Sequence, residues 1–524
     1  MVPEAVSLPR NALMTPPENT QTRRCPGEKY DITLAICRAR QANQYPKCLL
    51  CEHCRRRPDE GPSTDPKVKS SIFHTHSVSG EVPGEINEYV MRKIGTAAAQ
   101  YLRAEFSRSP TMVVGCDGRE SSRNLARVFC EGANSGGLHT LQIGTSTPAM
   151  AHFVLGTRKK GSAAFITGCQ ADANVNGVRL YRNNGVPLTF ETGLDKVGLI
   201  ARRLKPGRSK APGRNDSEEV LEDYRSYLAK FAPRLREIKV AVDGSCGAAG
   251  RVLPFVLSKL PVKVVRSHTE PDRRSSLLGQ PHPCQQIERS IRERMRSTSC
   301  QIGVAVDYDG DMCAFYDEDG RPLRNDVAAA LVAREMLHRM PGARIAYDLR
   351  FTAAVREEIL RGDGRPHRTA SHTLALARAT RQQEAVYAAS MDGRHFFRDM
   401  FGAESPALAL LMMCSLLSRT EQSLSSLAAG VARYAYSGQI RYGMPSPEAT
   451  EKALEDVKNE FREADRDSID GLTYRFTDWW FNLRQPPRTA SLLLTVEGRD
   501  QQKLHRGRQK VDRVLKRHGA ETLQ

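Results

Sequence analysis

Short apolar runs alternate with helix-like segments through most of the chain. Each run is rich in Val, Ile and Ala and reaches a Gly or Asp near its end. This alternation predicts an α/β fold built on mixed or parallel sheets. Because ligands of such sheets bind beyond the carboxyl ends of the strands, the loops after these runs are candidate sites. The runs are TMVVGCDG (111–118), SAAFITG (162–168), EIKVAVDG (237–244), CQIGVAVDYDG (300–310) and ARIAYDLR (343–350).

Composition between the runs predicts the segment boundaries. The N-terminus is rich in Pro, Asn and Thr and is predicted to be disordered, and a Pro/Ser/Asp-rich stretch is predicted to be a linker. One helix, from Ser217 to Leu235, is predicted to connect two domains. The predicted order is a disordered segment 1–24, a cysteine-rich segment 25–57, a linker 58–70, three α/β domains at 71–212, 213–340 and 341–437, and an α+β domain at 438–524.

Length and charge narrow the class of protein. At about 150 residues per domain, 524 residues suggest three to four domains. The formal charge of +18 favours phosphate-bearing partners or nucleic acid, although a solvated basic surface gives the same balance. The most apolar run, at 407–417, is shorter than the about 18 residues of a membrane span and predicts a buried helix. We therefore expect a soluble, cytoplasmic protein with no membrane partner.

The cysteine-rich segment predicts a metal site. The odd count of 13 cysteines argues against a disulfide framework. The C-x₂-C-x₂-C string after Cys37 favours zinc held by Cys37, Cys48, Cys51 and Cys54, with an iron–sulfur cluster or redox thiols as alternatives. The segment is basic, so it could dock on nucleic acid or an acidic protein. The other interpretation is that a metal there only stabilises a segment too short to build a core.

A second metal site is predicted at the string VDYDGDM. Asp307, Asp309 and Asp311 alternate after the apolar run IGVAV. Three carboxylates this close repel one another unless a cation neutralises them, and oxygen ligands of this kind suit Mg²⁺. An acidic surface turn is the alternative, but the position at the end of a buried strand favours a metal site.

Six motifs in register resemble the α-D-phosphohexomutases, in particular the bacterial phosphomannomutase/phosphoglucomutase group, over residues 71–520. They are SIFHTHSVSGEVPGEINEYVMRKIG, GCDGRESS, ITGCQADANVNGVRLY, VDYDGDM, ASMDGRHFFRD and DWWFNLRQPPRTA. The resemblance implies four domains around a central cleft. It also implies a phosphoserine beside Mg²⁺ that donates its phosphoryl group to a hexose phosphate, with cations and an acid/base group around it.

The catalytic loop departs from the family pattern T-A-S-H-N-P-x-x-x-N-G-x-K. Cys169 stands at the phosphoserine position and Arg179 at the lysine, while Thr167, Asn176 and Gly177 are kept. Arginine cannot readily act as a base because its pKa exceeds about 12. The literal string TASH at 369–372 lies elsewhere and aligns with the family's third domain, where His372 matches a phosphate-contacting histidine.

Other loops depart as well. The arginine of the opening motif is Ser79, and the first arginine of G-R-D-G-R is Cys116. In the sugar loop G-E-M-S-G-H the catalytic histidine is Arg394. The phosphate loop keeps its arginine but has two prolines, which lack a backbone N–H. The resemblance assigns phosphate or substrate binding to Arg119, Asn176, Arg350, His372, Ser390, Asp392, Arg484 and Arg488.

These departures favour a catalytically degenerate homologue that binds a metal or a phosphorylated sugar as a regulatory protein. The alternative is an active, divergent mutase in which Cys169 is the nucleophile or joins the aspartates around a softer metal. A third hypothesis is recruitment to nucleic acid through residues 22–57.

Overall fold

A computed structural model describes residues 22–24, 31–33, 36–37, 40, 67–104, 110–204, 212–272, 275–486 and 489–523. The chain divides into two compact units, one formed by residues 1–67 with 88–90 and the other by residues 68–87 with 91–524. In the first unit, strands β1 (Thr22–Arg24) and β2 (Asp31–Thr33) pair antiparallel. The sequence predicts disorder up to residue 24, so β1 corrects the last three residues of that segment. Of the predicted zinc ligands, Cys37 is buried, whereas Cys48, Cys51 and Cys54 lie outside the described residues, and the zinc site stays a prediction.

The first large sheet of the second unit is mixed. Its strand order is β3-β7-β6-β4-β5-β8, with β4, β5, β6 and β8 parallel to one another and β3 and β7 added through antiparallel pairings. Helices α1–α4 connect or follow its strands. The strands are β3 (Val78–Glu81), β4 (Thr111–Cys116), β5 (His139–Thr145), β6 (Ser162–Ile166), β7 (Val175–Tyr181) and β8 (Asn215–Ser217), and the helices are α1 (Glu88–Arg103), α2 (Ser122–Ser135), α3 (Pro148–Thr157) and α4 (Leu194–Arg203).

The second sheet has the order β10-β9-β11-β12, with three parallel strands and one antiparallel edge. Its strands are β9 (Ile238–Asp243), β10 (Val262–Ser267), β11 (Ile302–Val306) and β12 (Cys313–Tyr316), with helices α5 (Leu221–Ala229), α6 (Ala248–Leu257) and α7 (Gln285–Thr298).

The third sheet has the order β14-β13-β15-β16-β17 and is also mixed. Its strands are β13 (Arg344–Asp348), β14 (Arg365–Thr369), β15 (Tyr387–Ala389), β16 (His395–Phe397) and β17 (Ala403–Glu404). The accompanying helices are α8 (Asn325–Arg339), α9 (Ala353–Arg361), α10 (Thr373–Gln382), α11 (Pro406–Arg419) and α12 (Leu424–Val431).

The fourth sheet is antiparallel throughout its described pairings, in the order β19-β20-β21-β22-β18-β23. Its elements are β18 (Ala435–Gly443), α13 (Pro447–Glu460), β19 (Asp465–Asp467), β20 (Leu472–Arg475), β21 (Trp479–Arg484), β22 (Ser491–Gly498), α14 (Gln501–Lys516) and β23 (Glu521–Leu523). Three mixed α/β sheets followed by an α+β segment confirm the predicted fold class. The domain boundaries themselves stay predictions.

The core has two main parts. One contiguous apolar cluster runs from Val113 in the first sheet through the second and third sheets to Val431, and it includes α11, which is buried along almost its whole length as its sequence predicts. The fourth sheet has its own cluster, from Ile440 to Ala520. The C-terminal segment therefore folds around a separate interior. Among the described helices, none combines the length and the hydropathy that crossing a membrane requires.

The predicted connector helix is shorter than expected. It covers Leu221–Ala229 rather than Ser217 to Leu235. At its start, residues 215–217 are extended because they pair with the edge of the first sheet. At its end, Pro233 lacks the backbone N–H that a further helical turn needs.

Helices α1 and α2 approach each other closely at glycines. A Cβ on Gly132 would lie 2.0 Å from the backbone oxygen of Arg92, and the hydroxyl of Thr96 donates to the Gly132 carbonyl at 2.9 Å. Backbone atoms cannot move away without separating the helices, so the contact requires glycine here.

We expect Gly132→Ala to destabilise the protein by about 1–3 kcal/mol, because overpacking outweighs the usual gain of alanine over glycine in a helix. Gly84→Ala is the matched control, since its Cβ would meet nothing within 4 Å. Thermal unfolding followed by circular dichroism compares the two variants. Equal melting temperatures would show that the helices can separate at little cost.

Candidate functional site

The predicted site residues lie at the ends of strands from three sheets. Cys169 follows β6, Arg179 lies on β7, Asp311 lies between β11 and β12, and Arg394 lies in the turn between β15 and β16. The turn reaches the second sheet through a hydrogen bond from the Cys313 N–H to the Gly393 carbonyl, 2.9 Å. Three domains thus contribute side chains to one centre.

The loop after β6 has a tightly determined backbone. Cys169 has a φ of 55°, in the left-handed region, and its N–H donates to the Thr167 hydroxyl at 2.8 Å. At Gly168 a Cβ would lie 2.3 Å from the Val175 carbonyl and 2.8 Å from the guanidinium of Arg119. Thr167, which is kept from the family pattern, and Gly168, where that pattern has alanine, therefore set the shape of this loop.

Arg119 holds the same loop through hydrogen bonds to its backbone. Its side chain is fully buried and donates to the backbone oxygens of Asp172 (2.7 Å), Cys169 (2.7 Å) and Ala171 (2.9 Å). Asp117 anchors the guanidinium through Nε at 3.1 Å. The resemblance assigns Arg119 to ligand binding, but in this structure its guanidinium faces the loop and positions it.

Asn176 has a similar role. Its amide donates to the hydroxyls of Ser121 (2.7 Å) and Ser122 (2.9 Å), and its oxygen accepts from the Gly177 N–H at 2.7 Å. The side chain is fully buried and ties β7 to the start of α2.

The aspartate loop forms the predicted acidic triad. Asp307 Oδ1 accepts from the N–H groups of Asp311 and Met312, both at 2.9 Å, which turns the loop back on itself. The three side chains are buried and offer ligand oxygens within 4.8 Å of one another. Cys169 is not a member of any such cluster among the described residues, so the idea that its sulfur completes the ligand set has no support in the geometry.

The triad fits a hard divalent cation. Asp307 Oδ2, Asp309 Oδ2 and Asp311 Oδ1 are buried and have no hydrogen-bond partner among the described residues. Burial, followed by the neighbouring carboxylates, raises the pKa of Asp307 well above its usual range. Buried carboxylate oxygens without donors are the ligands that Mg²⁺ prefers in proteins.

Two arginines form ion pairs with the triad. Arg179 Nη1 and Arg394 Nη1 both contact Asp311 Oδ2, the latter at 2.5 Å, and Arg179 lies 3.6 Å from Asp309 Oδ2. Burial alone would raise the pKa of Asp311, but the charges of the two guanidiniums outweigh it and lower that pKa. The two arginines at the family's acid/base positions therefore act as counterions of the triad.

A further carboxylate and a further arginine extend this charge cluster. Glu404 lies 3.5 Å from Arg394 Nη1, and burial raises the pKa of Glu404. Arg381 is mostly buried, its Nε and Nη2 have no hydrogen-bond partner among the described residues, and burial lowers its pKa to about 10. The sequence predicts neither residue, because both lie outside the recognised motifs.

In the third domain, the sugar loop is a tight turn. The Ser390 N–H donates to the Arg394 carbonyl at 3.0 Å, and the Arg394 N–H donates to the Ser390 hydroxyl at 3.3 Å. Asp392, in the middle of the turn, accepts from both Nη atoms of Arg350 at 3.1 Å. Predicted binding residues thus contact one another here.

The remaining predicted residues lie where the third and fourth sheets meet. Arg484 Nη1 donates to the Ser371 hydroxyl at 2.6 Å and lies 3.4 Å from Asp470, which also accepts from Ser371. His372 caps α10 by accepting from the Ala375 N–H at 3.2 Å. Arg488 lies outside the described residues, and its role stays a prediction.

Comparison with known proteins supports the family. A family model described as phosphoglucomutase/phosphomannomutase, alpha/beta/alpha domain I, matches residues 70–199, and the model of domain II of that family matches residues 222–320. These matches and the relatives below support membership of the α-D-phosphohexomutase family. The phosphohexomutase resemblance of the motifs is thereby confirmed.

The chain matches nearly the whole length of its relatives. The chain is 28% identical to phosphohexose mutases of Xanthomonas campestris pv. campestris over 82% of this chain and 95% of the relative. It is 26% identical to a phosphomannomutase of Escherichia coli, again over 82% and 95%. A phosphoglucomutase/phosphomannomutase family protein from Burkholderia thailandensis has the same fold, with a TM-score of 0.76 at 22% identity over 87% of this chain and 99% of that one.

We expect Arg119→Lys to lower the free energy of unfolding by about 1–3 kcal/mol, because an ammonium cannot reach three carbonyls that a guanidinium fork satisfies. The matched control is Arg123→Lys, since Arg123 is an exposed arginine whose Nε donates to the Thr145 hydroxyl at 3.3 Å. Melting temperature and proteolytic cleavage within residues 167–177 report the effect. Equal changes in both variants would contradict a loop-positioning role.

Cys169 should alkylate slowly at neutral pH. Burial, the largest effect, raises the pKa of its thiol to about 11, against the opposing charge of Arg179. The thiolate fraction, and with it the rate of iodoacetamide labelling, should rise about tenfold per pH unit from pH 7 to 10. Peptide mass spectrometry at Cys169, with Cys169→Ser to identify the peptide, measures this rate. A plateau near pH 8 would contradict the raised pKa.

Proposed function

We propose that this chain is a catalytically silent phosphohexomutase homologue that binds a divalent metal and a phosphorylated sugar as a regulatory or scaffold protein. One observation carries the proposal. The two positions that the family uses for proton transfer hold Arg179 and Arg394, and both guanidiniums are ion-paired to Asp311.

The physical reason is the proton chemistry of arginine. A general acid or base needs a pKa near the working pH, and its loss costs about 10²–10⁴-fold in rate. Burial would lower the pKa values of Arg179 and Arg394, but the charges of the buried aspartates outweigh it and raise them above the usual value of arginine. Neither side chain can exchange a proton with a sugar hydroxyl at neutral pH.

The properties of Cys169 support the same conclusion. Because its pKa is raised to about 11, the sulfur of Cys169 is protonated at neutral pH. A thiol is a much weaker nucleophile than a thiolate. Arg179, the cation that most lowers the pKa of this thiol, is engaged with the triad. These observations disfavour an active mutase that uses Cys169 in place of serine.

The acidic triad supports Mg²⁺ as the metal. Asp307, Asp309 and Asp311 would hold the ion through their three oxygens without hydrogen-bond donors. When bound, the ion would supply positive charge against phosphoryl oxygens. The chain's own residues keep this centre buried and orient the loop that carries Cys169 towards it.

The relatives support a phosphorylated hexose as the ligand class. The Escherichia coli relative is a phosphomannomutase, and the Xanthomonas relative is named for phosphohexose mutases. The chain keeps the family's loops in register but not their proton carriers. Ligand binding without turnover follows from this combination.

We expect purified protein to show no turnover of mannose 1-phosphate or glucose 1-phosphate with Mg²⁺ and a hexose bisphosphate activator. The rate should equal that of Cys169→Ala, because neither proton-transfer position can act. A coupled assay for the 6-phosphate product measures it. Turnover that is lost in Cys169→Ala would overturn the proposal.

The metal-binding part of the proposal is tested by a separate measurement. Mg²⁺ should raise the melting temperature of the wild-type chain and leave that of Asp309→Asn unchanged. Asp319→Asn is the matched control, because Asp319 is an exposed aspartate in an ion pair with Arg321 outside the triad. A Mg²⁺ response that persists in Asp309→Asn would place the metal elsewhere.

A further inference from the structure

The turn between β15 and β16 places a carboxylate in the fork of a buried arginine. Arg350 Nη1 donates to Asp392 Oδ1 and Nη2 donates to Asp392 Oδ2, both at 3.1 Å. Two parallel N–H···O bonds of this kind are the geometry in which arginine recognises a carboxylate or a phosphate. The fork is thus filled by an anion that belongs to the chain.

The two partners differ in exposure. The Arg350 side chain is 4% exposed, whereas that of Asp392 is 50% exposed. On its inner side, Arg350 Nε donates to both oxygens of Asp348, at 3.0 and 2.9 Å, and Asp348 is fully buried. A ligand arriving from solvent therefore meets the carboxylate of Asp392 before it meets the guanidinium.

Asp392 also lies among the cations that line the candidate site. Burial would raise the pKa of Asp392, but the charges of Arg350, Arg394 and Arg484 outweigh it and lower that pKa. The carboxylate is therefore ionised at neutral pH. Without Asp392, an anionic ligand group at this position would interact favourably with the three arginines.

The charge balance at the fork opposes a further anion. Arg350 supplies one positive charge against the two carboxylates of Asp348 and Asp392. A phosphate that approached this arginine would be a third anion on one cation, and it would have to displace a bidentate partner. The family pattern G-E-M-S-G-H has an uncharged serine where this chain has Asp392.

We propose that Asp392 is a specificity-determining residue that occupies the Arg350 fork as a built-in anion and excludes ligand phosphate from it. This inference rests on the proposed function, since it concerns how the same cleft selects its phosphorylated ligand. With Asp392 in place, a hexose phosphate binds in the cleft without using the donors of Arg350 that face Asp392. Removing the carboxylate frees two donors of Arg350 and takes one negative charge away from the fork.

Isothermal titration of the full chain tests the proposal with inorganic phosphate, glucose 1-phosphate and glucose. Asp392→Ser should bind both phosphate-bearing probes about tenfold tighter than wild type, with no change for glucose, because one charge-assisted pair becomes available. Asp392→Asn keeps an oxygen on Arg350 without the charge and should give an intermediate gain. It also serves as the second variant if the serine substitution perturbs the turn.

The matched control is Asp319→Ser. Asp319 is 54% exposed and pairs with Arg321 at 3.0 Å, so it resembles Asp392 in exposure and partner but lies outside the cleft. Its variant should bind all three probes as wild type does, and an equal gain there would overturn the proposal.

The remaining outcomes separate the two proposals. If wild type binds glucose 1-phosphate and neither Asp392 variant binds it more tightly, the role of Asp392 is overturned and the proposed function stands. If no variant binds a phosphate-bearing probe while all melt cooperatively, both are overturned.

Discussion

One carboxylate oxygen, Asp311 Oδ2, joins three domains. It accepts contacts from Arg179 of the first sheet and Arg394 of the third, while its own loop belongs to the second. Three buried carboxylates without a counterion would be unstable, and removing one partner of a buried ion pair costs about 3–5 kcal/mol. The two arginines therefore stabilise the acidic loop, and the same contacts prevent them from carrying protons. In the proposed function, the loss of acid/base chemistry and the stability of the triad thus have a single physical cause.

The loop around Cys169 shows how shape persists when chemistry changes. Arg119 and Thr167 hold this loop through its backbone carbonyl and amide groups, and Asn176 anchors the strand that follows it. Backbone contacts do not depend on which side chains the loop carries. Substitutions at positions 169 to 172 can therefore remove reactive groups without altering the fold, whereas a change at Arg119 would alter the loop itself.

The sequence predicts the parts of this structure that depend on local pattern. Strand ends such as Cys116, Val306 and Asp348 lie where the apolar runs predict them, because a buried strand needs apolar side chains in an unbroken run.

The sequence does not predict the partners of the site residues. Glu404 and Asp470 have no local signal, since the arginines that they contact, Arg394 and Arg484, are 10 and 14 residues away in the sequence. Arg119 shows the converse, because its motif indicates a ligand contact while its burial makes it a support for the loop.

The separate interior of the fourth sheet has a consequence for how the C-terminal segment responds to salt. Its polar contacts with the third domain include the ion pair of Arg368 with Asp467 at 2.5 Å and the hydrogen bonds of Ser371 with Asp470 and Arg484, both at 2.6 Å. Electrostatic contacts of partly exposed groups weaken as ionic strength rises, whereas apolar cores do not. Rising ionic strength should therefore weaken the attachment of the C-terminal segment to the third sheet before it affects either interior.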